Sequence, residues 1–281
     1  MPPSPEAIRA ILELAFAEDI GPSGDLTSSL LIPEDQQGVA RLFSRVEGVL
    51  AGGVLLAPIF GRLDPRVRVR LETEDGSRLS PESTIARLEG PARSILTGER
   101  VALNLVARLS GIATLTRKFV DACTPGTRVA DTRKTTPGLR ALERYAVRCG
   151  GGSNHRFNLS DGILIKDNHI AACGGVAPAV ERARAHAPHP LRIEVEVTGI
   201  EQAREAVAAR ADILLLDNMT PDTMRETVRE LRGKALFEAS GGVRLDTIGA
   251  ISSTGVDIVS IGALTHSAVS LDLSLDLAPP A

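Results

Sequence analysis

LRIEVEVTGIEQAREAVAARADILLLDN (191–218) decides the fold. Two apolar runs, LRIEVEV (191–197) and ADILLLDN (211–218), flank the helical stretch GIEQAREAVAAR (199–210). Short continuous apolar strands alternating with helices are the mark of a parallel sheet covered by helices. The same rhythm extends outward from this unit. Upstream lie TRVAD (127–131) and GILIKD (162–167); downstream lie the helix TPDTMRETVRELR (220–232), ALFEAS (235–240) and VDIVSIG (256–262). Six such units without a glycine-rich dinucleotide fingerprint favour a closed or nearly closed barrel over a doubly wound sheet. Periodicity alone leaves both open.

The first part of the chain reads differently. Ile8, Ile11, Leu12, Ala15 and Phe16 recur at helical spacing and predict a helix over 6–18, ending before the loop GPSGDLT (21–27). Residues 38–90 carry β-type runs, among them GVARLFSRVEGVLAGGV (38–54) and VRVRLET (67–73), broken by Gly, Pro and Asp. A second long helix is expected to open near Thr97 as N-cap, with Glu99 in its first turn and an apolar face of Val101, Leu105, Val106, Leu109 and Ile112. The expected division is a small α+β domain over 1–112 and an α/β barrel over 113–281, with the last ten or so residues packing back on the first domain.

Composition narrows the function. A net charge of −3 speaks against a general nucleic-acid or membrane binder, and no Trp with one Tyr removes the aromatic platforms of single-strand binding. No stretch approaches the ~20 apolar residues of a membrane span. The three cysteines, Cys123, Cys149 and Cys173, form no CxxC pair, which fits a reducing cytoplasm. The opening MPPSPEAIRA lacks the basic start and apolar run of a signal peptide.

Nearly every barrel strand ends in polar residues: Asp131, Arg133 and Lys134; Lys166; Glu194 and Glu196; Asp217; Glu238 and Ser240; then Gly262. The carboxyl ends of parallel strands are where α/β folds build sites, so these groups converge on one mouth. Between Asp131 and Lys166 the chain is net +4, a cradle for a polyanion, with Arg144 expected on ordinary helix surface. Glu196 and Asp217 close consecutive strands and offer oxygen donors of the kind Mg²⁺ takes. Alternation puts Glu194 and Glu196 on one face, and pattern does not choose between them. EASGGV (238–243) and GALTH (262–266) expose backbone N–H groups at following helix starts, a phosphate cradle after the last two strands. In GGGSNHRF (150–157), a glycine run delivers His155 and Arg156 to an anion.

At these residues the sequence resembles the quinolinate phosphoribosyltransferases. The resemblance runs through EDIGPSGDLTS (18–28), ERVALNLVARLSGIATLT (99–116), the long block 131–170 beginning DTRKTTPG, EVEV (194–197), LLLDNM (214–219), EASGGV (238–243) and IGALTHS (261–267). It implies a truncated barrel of the TIM type behind a smaller α+β domain. It implies transfer of phosphoribosyl from phosphoribosyl pyrophosphate to quinolinate with loss of CO2, giving nicotinate mononucleotide for NAD. It also implies Mg²⁺ and a homodimer in which Arg100 reaches the neighbouring subunit's site. Arg133, Lys134, His155, Arg156 and Lys166 match positions that bind the carboxylates and phosphates, beside Thr132. Glu196 and Asp217 match the acids near ribose and metal, which selects Glu196 over Glu194. Ser240, Gly241, Gly262 and His266 match phosphate contacts. Lys134, Lys166, Glu196 and Asp217 are the catalytic candidates. Ser153, Phe157 and Asn158 depart from the family pattern and bear on substrate preference. A sister family associated with molybdenum transport shares the DTRKTTPG block, whereas GGGSNHR and LIKDNH favour the quinolinate enzyme. A Schiff-base aldolase using Lys166 is the rival from another class.

Overall fold

The computed structural model describes residues 2–278, which fall into two units. The first comprises the described residues of Met1–Arg117, Thr135–Gly151 and Ala263–Ala281; the second comprises Lys118–Lys134 and Gly152–Gly262.

In the first unit, α1 (Pro5–Asp19) starts on Ser4, whose hydroxyl accepts the Ala7 N–H, with Pro5 at its first position. The loop expected over 21–27 stops short, because Asp25 caps a second helix, α2 (Leu26–Leu31), by accepting from Ser28 N–H and Oγ. The strands are β1 (Gln37–Ser44), β2 (Gly48–Val49), β3 (Arg68–Leu71), β4 (Arg78–Leu79) and β5 (Thr84–Pro91). β2 pairs with β4. The main sheet is antiparallel, with β1 between β5 and the terminal strand Leu273–Ala278, and β3 on the far side of β5. Its core is apolar, with Leu42, Leu56, Ile59, Phe60 and Leu88 fully buried, several of them on α3 (Leu56–Leu63).

The long helix α4 (Ala92–Ala122) does not begin at Thr97 as expected. It begins directly after β5, and the Thr97 hydroxyl donates to the Arg93 carbonyl one turn back and to Asp25, so it lies inside the helix. Gly98 beside it leaves room for the Phe60 ring, which a Cβ would meet at 2.6 Å. Within α5 (Arg140–Cys149), Arg144 is buried rather than on the surface, along with Leu142 through Val147. Its neighbour Glu143, fully buried, accepts from Arg108 Nη2 at 2.9 Å and from the Thr136 N–H and hydroxyl. The only tyrosine, Tyr145, donates to Asp75 at 2.6 Å.

The second unit contains all six apolar runs as strands: β6 (Arg128–Ala130), β7 (Ile163–Ile165), β8 (Ile193–Val197), β9 (Ile213–Asp217), β10 (Leu236–Ser240) and β11 (Ile258–Ser260). Every ladder is parallel, in the order β6-β11-β10-β9-β8-β7. The first strand pairs with the last, as in a barrel, while β6 and β7 share no ladder, so the barrel is open there. Ser153 bridges to Ala130 on the open side of β6. Helices α6 (Asp167–Cys173), α7 (Val176–His186), α8 (Ile200–Ala208), α9 (Pro221–Leu231) and α10 (Ile248–Ser252) fill the connections. One face of the strands is apolar and buried: Ile193, Val195, Val197, Leu214 and Leu216 are each fully covered. Burial of each such side chain stabilises by roughly 1.5–3 kcal/mol. The alternate positions, Glu194 and Glu196, Leu215 and Asp217, Glu238 and Ser240, face the barrel interior in register. Among the described residues no helix is long and apolar enough to cross a membrane.

Candidate active site

The inward row rises from Glu194 deep in the barrel to Glu196, Asp217 and Ser240 at the strand ends, where a cavity of about 500 Å³ opens. It is lined by Thr132, Arg133 and Lys134 after β6, by His155 and Arg156, by Lys166 after β7, and by Glu196, Asp217, Ser240 and Gly241. Ten of the thirteen residues expected to bind substrate thus meet in one pocket. Gly262 follows β11 without lining it. Arg100 and His266 belong to the first unit. There Arg100 lines a smaller cavity with Asp25 and Thr97, and the His266 ring lies 2.7 Å from the Ser267 hydroxyl.

Charge is separated across the pocket. On one side Arg133 and Arg156 lie close enough for mutual repulsion. Burial first, and then Arg133, lower the Arg156 pKa. The Arg133 Nε is buried without a hydrogen-bond partner. A buried donor left unmatched is costly, so an arriving carboxylate or phosphate restores both charge balance and hydrogen bonding. On the other side Glu196 pairs with Lys166 at 3.4 Å, and Asp217 accepts from the Asn218 amide at 2.7 Å. Asn218 has φ 52°, a left-handed conformation Asn tolerates better than most residues. A Cβ on Gly241 would collide with the Asn218 side chain. The Gly241–Gly242 turn is left-handed, at φ 94° and 57°, and α10 opens only at Ile248. Its N–H groups therefore belong to a turn and not, as expected, to a helix start. After Gly262 a short helix, Ala263–His266, does follow directly.

The loop carrying His155 is held by residues that the sequence did not single out for this task. Asp131, fully buried, accepts the Asn154 amide at 2.6 Å and the His155 N–H at 2.8 Å. Ser153 is tied by its main chain to Val129 and Asp131, contacts that do not involve its side chain. The His155 Nδ1 accepts the Arg156 N–H at 2.7 Å, and its Nε2 lies 3.2 Å from Glu194 and 3.6 Å from Glu238. Burial disfavours a charged ring, but the Glu194 hydrogen bond and the Glu238 and Glu194 charges outweigh it and raise the pKa. The N–H at Nδ1 opposes a second proton. Burial, then the charge of Glu194, push Glu238 up to about 7. The inward period of β8 and β10 was legible; that Glu194 and Glu238 meet the same histidine was not.

A half-open parallel barrel with a basic pocket facing two mouth carboxylates defines a barrel enzyme that handles polyanionic substrates. Two family models cover nearly all of it: the quinolinate phosphoribosyl transferase N-terminal domain over residues 25–110 and the C-terminal domain over 112–276. A Bacillus subtilis protein named as a probable nicotinate-nucleotide pyrophosphorylase (carboxylating) is 49% identical over 271 residues, covering 96% of this chain and 93% of the relative. The quinolinate phosphoribosyltransferase (decarboxylating) 2 of Nicotiana glauca is 37% identical, covering 96% of this chain and 82% of the relative. The crystal structure of NadC from Streptococcus pyogenes matches with a TM-score of 0.96 at 42% identity, over 100% of both chains. The chain belongs to the quinolinate phosphoribosyltransferase family.

Proposed function

We propose that this pocket joins phosphoribosyl pyrophosphate to quinolinate and releases CO2, with the roles of individual residues set by charge. The observation that carries the reading is the meeting of half-buried, repelling Arg133 and Arg156 with carboxylates Glu196 and Asp217 in one cavity at the barrel mouth. Arg133 and Arg156 hold the dicarboxylate and aim its ring nitrogen at ribose C1. Lys134 and Lys166 act as fixed positive charges for carboxylate and phosphate, and Ser240 and Gly241 serve phosphate. The C1–oxygen bond breaks with its electron pair leaving on pyrophosphate, and the ring nitrogen supplies the pair for the new C1–N bond. Glu196 and Asp217 accept from the ribose hydroxyls and offset the positive charge at C1. The ring nitrogen, now cationic, draws in the bonding pair as the adjacent carboxylate leaves as CO2, and the ring carbon takes a proton.

The hard oxygen donors of Glu196 and Asp217 fit Mg²⁺ when substrate oxygens complete the shell. Glu196 and Asp217 would hold the ion, which would supply positive charge to offset that of the departing pyrophosphate. A homodimer with Arg100 supplied to the partner's site, and a reducing cytoplasmic setting for the three free cysteines, complete the proposal. The test is one assay with quinolinate, phosphoribosyl pyrophosphate and Mg²⁺, run beside the same mixture with nicotinate. Nicotinate mononucleotide formed from quinolinate alone, and abolished by chelator, supports the reading. Equal product from nicotinate, or none from quinolinate with folded protein, overturns it.

A further inference from the structure

At and below the floor of the pocket, the barrel interior holds acids that the reaction above leaves unassigned. Glu194 and Glu238 are 5% and 3% exposed, and each has an Oε1 without a hydrogen-bond partner. Barrel interiors are ordinarily filled by branched apolar side chains, and burying two like charges side by side is costly. Such a pair persists in a packed interior where it does something an apolar pair cannot.

The geometry shows what that is. Both acids meet one atom, the His155 Nε2, at 3.2 and 3.6 Å. At the opposite side of the ring, Nδ1 accepts the Arg156 N–H at 2.7 Å. The Arg156 guanidinium is in turn tethered by one nitrogen to the Gly162 carbonyl at 2.8 Å. A chain of contacts therefore runs from the acids through the imidazole to the main chain of a pocket arginine. Glu238 forms part of the cavity wall, whereas Glu194 lines only a second opening toward the strands' amino ends.

We propose that Glu194 and Glu238 are positioning residues for the dicarboxylate. They hold the His155 ring from below with its proton on Nε2, and the ring holds the Arg156 main chain so that its guanidinium stays aimed into the pocket. The inference rests on the quinolinate reading for its kinetic arm and not for its spectroscopic arm.

The test uses full-length protein labelled with ¹⁵N-histidine, with the His155 resonances identified by their loss in H155N. Wild type should show one protonated and one unprotonated ring nitrogen for His155 at about pH 8. Glu194→Ala should collapse that separation and raise the quinolinate KM about tenfold, the scale of one lost charge-assisted hydrogen bond. The KM for phosphoribosyl pyrophosphate should stay within about twofold, because Glu194 does not line the cavity and its chain of contacts ends on Arg156. Glu194→Gln, which keeps an acceptor for Nε2–H, should restore most of both readouts, and Glu238→Gln guards against a variant that fails to fold. The proposal is overturned if wild-type His155 is protonated on both nitrogens, if Glu194→Ala leaves the spectrum and KM unchanged, or if both substrates lose affinity equally. If wild type turns over no quinolinate, the reaction reading fails while the ring-nitrogen spectra still decide the positioning.

Discussion

The core of the first unit and the interior of the barrel are both buried, yet they are built from opposite materials. Around β1, β5 and α3 the first unit buries Leu42, Leu56, Ile59, Phe60 and Leu88, and its buried acids Asp64 and Glu143 are each paired with an arginine. The barrel keeps its apolar layer on the outer face of the strands and gives the inner face to Glu194, Glu238 and, at the rim, Glu196 and Asp217. An apolar core contributes stability in proportion to area and asks only to be filled. A charged interior costs stability and returns field and orientation. Damage should therefore divide cleanly, with stability lost in the first region and chemistry lost in the second.

Phe60→Ala is the strongest test of the first half. The ring is fully buried against Gly98 and α4, and truncation should destabilise by about 3–5 kcal/mol. Urea denaturation would show it, while the protein that remains folded should keep its quinolinate KM. A large KM change with little loss of stability would break the division. Arg133→Ala tests the other half. Catalytic efficiency should fall about a hundredfold, roughly 2.7 kcal/mol, with the melting temperature almost unmoved. Removing a half-buried guanidinium that repels Arg156 costs little folding energy. Activity within twofold of wild type would remove Arg133 from the site.

How far the sequence reveals this contrast depends on which signal a residue carries. The six barrel strands are legible because their outer faces are uninterrupted apolar runs, and Glu196 and Asp217 because they end consecutive runs. Glu194 and Glu196 read as alternatives since a period of two places them on one face. In the structure they share that face at two depths, one against His155 and one against Lys166. Depth is a tertiary property with no local pattern. Thr97 misleads for a related reason: a threonine before a glutamate reads as a cap, but its hydroxyl can also bond back within a helix already begun. Arg144 looks like surface because charge usually is surface; burial there follows from packing around all of α5. Asn154 carries no signal at all until Asp131 is seen beneath it.

Acid–base behaviour sharpens the comparison on a smaller scale. Glu238 is held well above the ordinary carboxylate range by burial and by Glu194, with His155, Ser260 and Arg128 opposing. A raised acid binds its proton more tightly in the folded chain than in the unfolded one. Its stabilising contribution is full below the unfolded value of 4.5 and is lost as pH rises through about 7. Glu238→Gln should therefore gain stability relative to wild type across that window and hold the gain above it. Parallel stability curves for the two proteins would show that Glu238 does not titrate there.

In the first unit the sign reverses. Asp64 accepts from the Arg66 main chain and side chain and from the Ser94 hydroxyl. The Arg66 hydrogen bond foremost lowers its pKa well below the ordinary carboxylate value, burial working the other way. A lowered acid contributes stability that is present above the unfolded value of 3.8 and is lost as pH falls through the folded one. Arg66 is largely exposed, so solvent screens the pair and Asp64→Asn should cost only about 1 kcal/mol at neutral pH. That difference should vanish in strong acid, where wild type and variant both carry an uncharged group. Denaturation midpoints taken at neutral pH and near pH 2 would show the two curves converging. In the apolar unit a carboxylate is retained because it is paired and ionised; in the barrel one is retained although burial works against its charge. Convergence in acid for Asp64, beside divergence toward neutral pH for Glu238, would separate those two uses of the same side-chain chemistry within one chain.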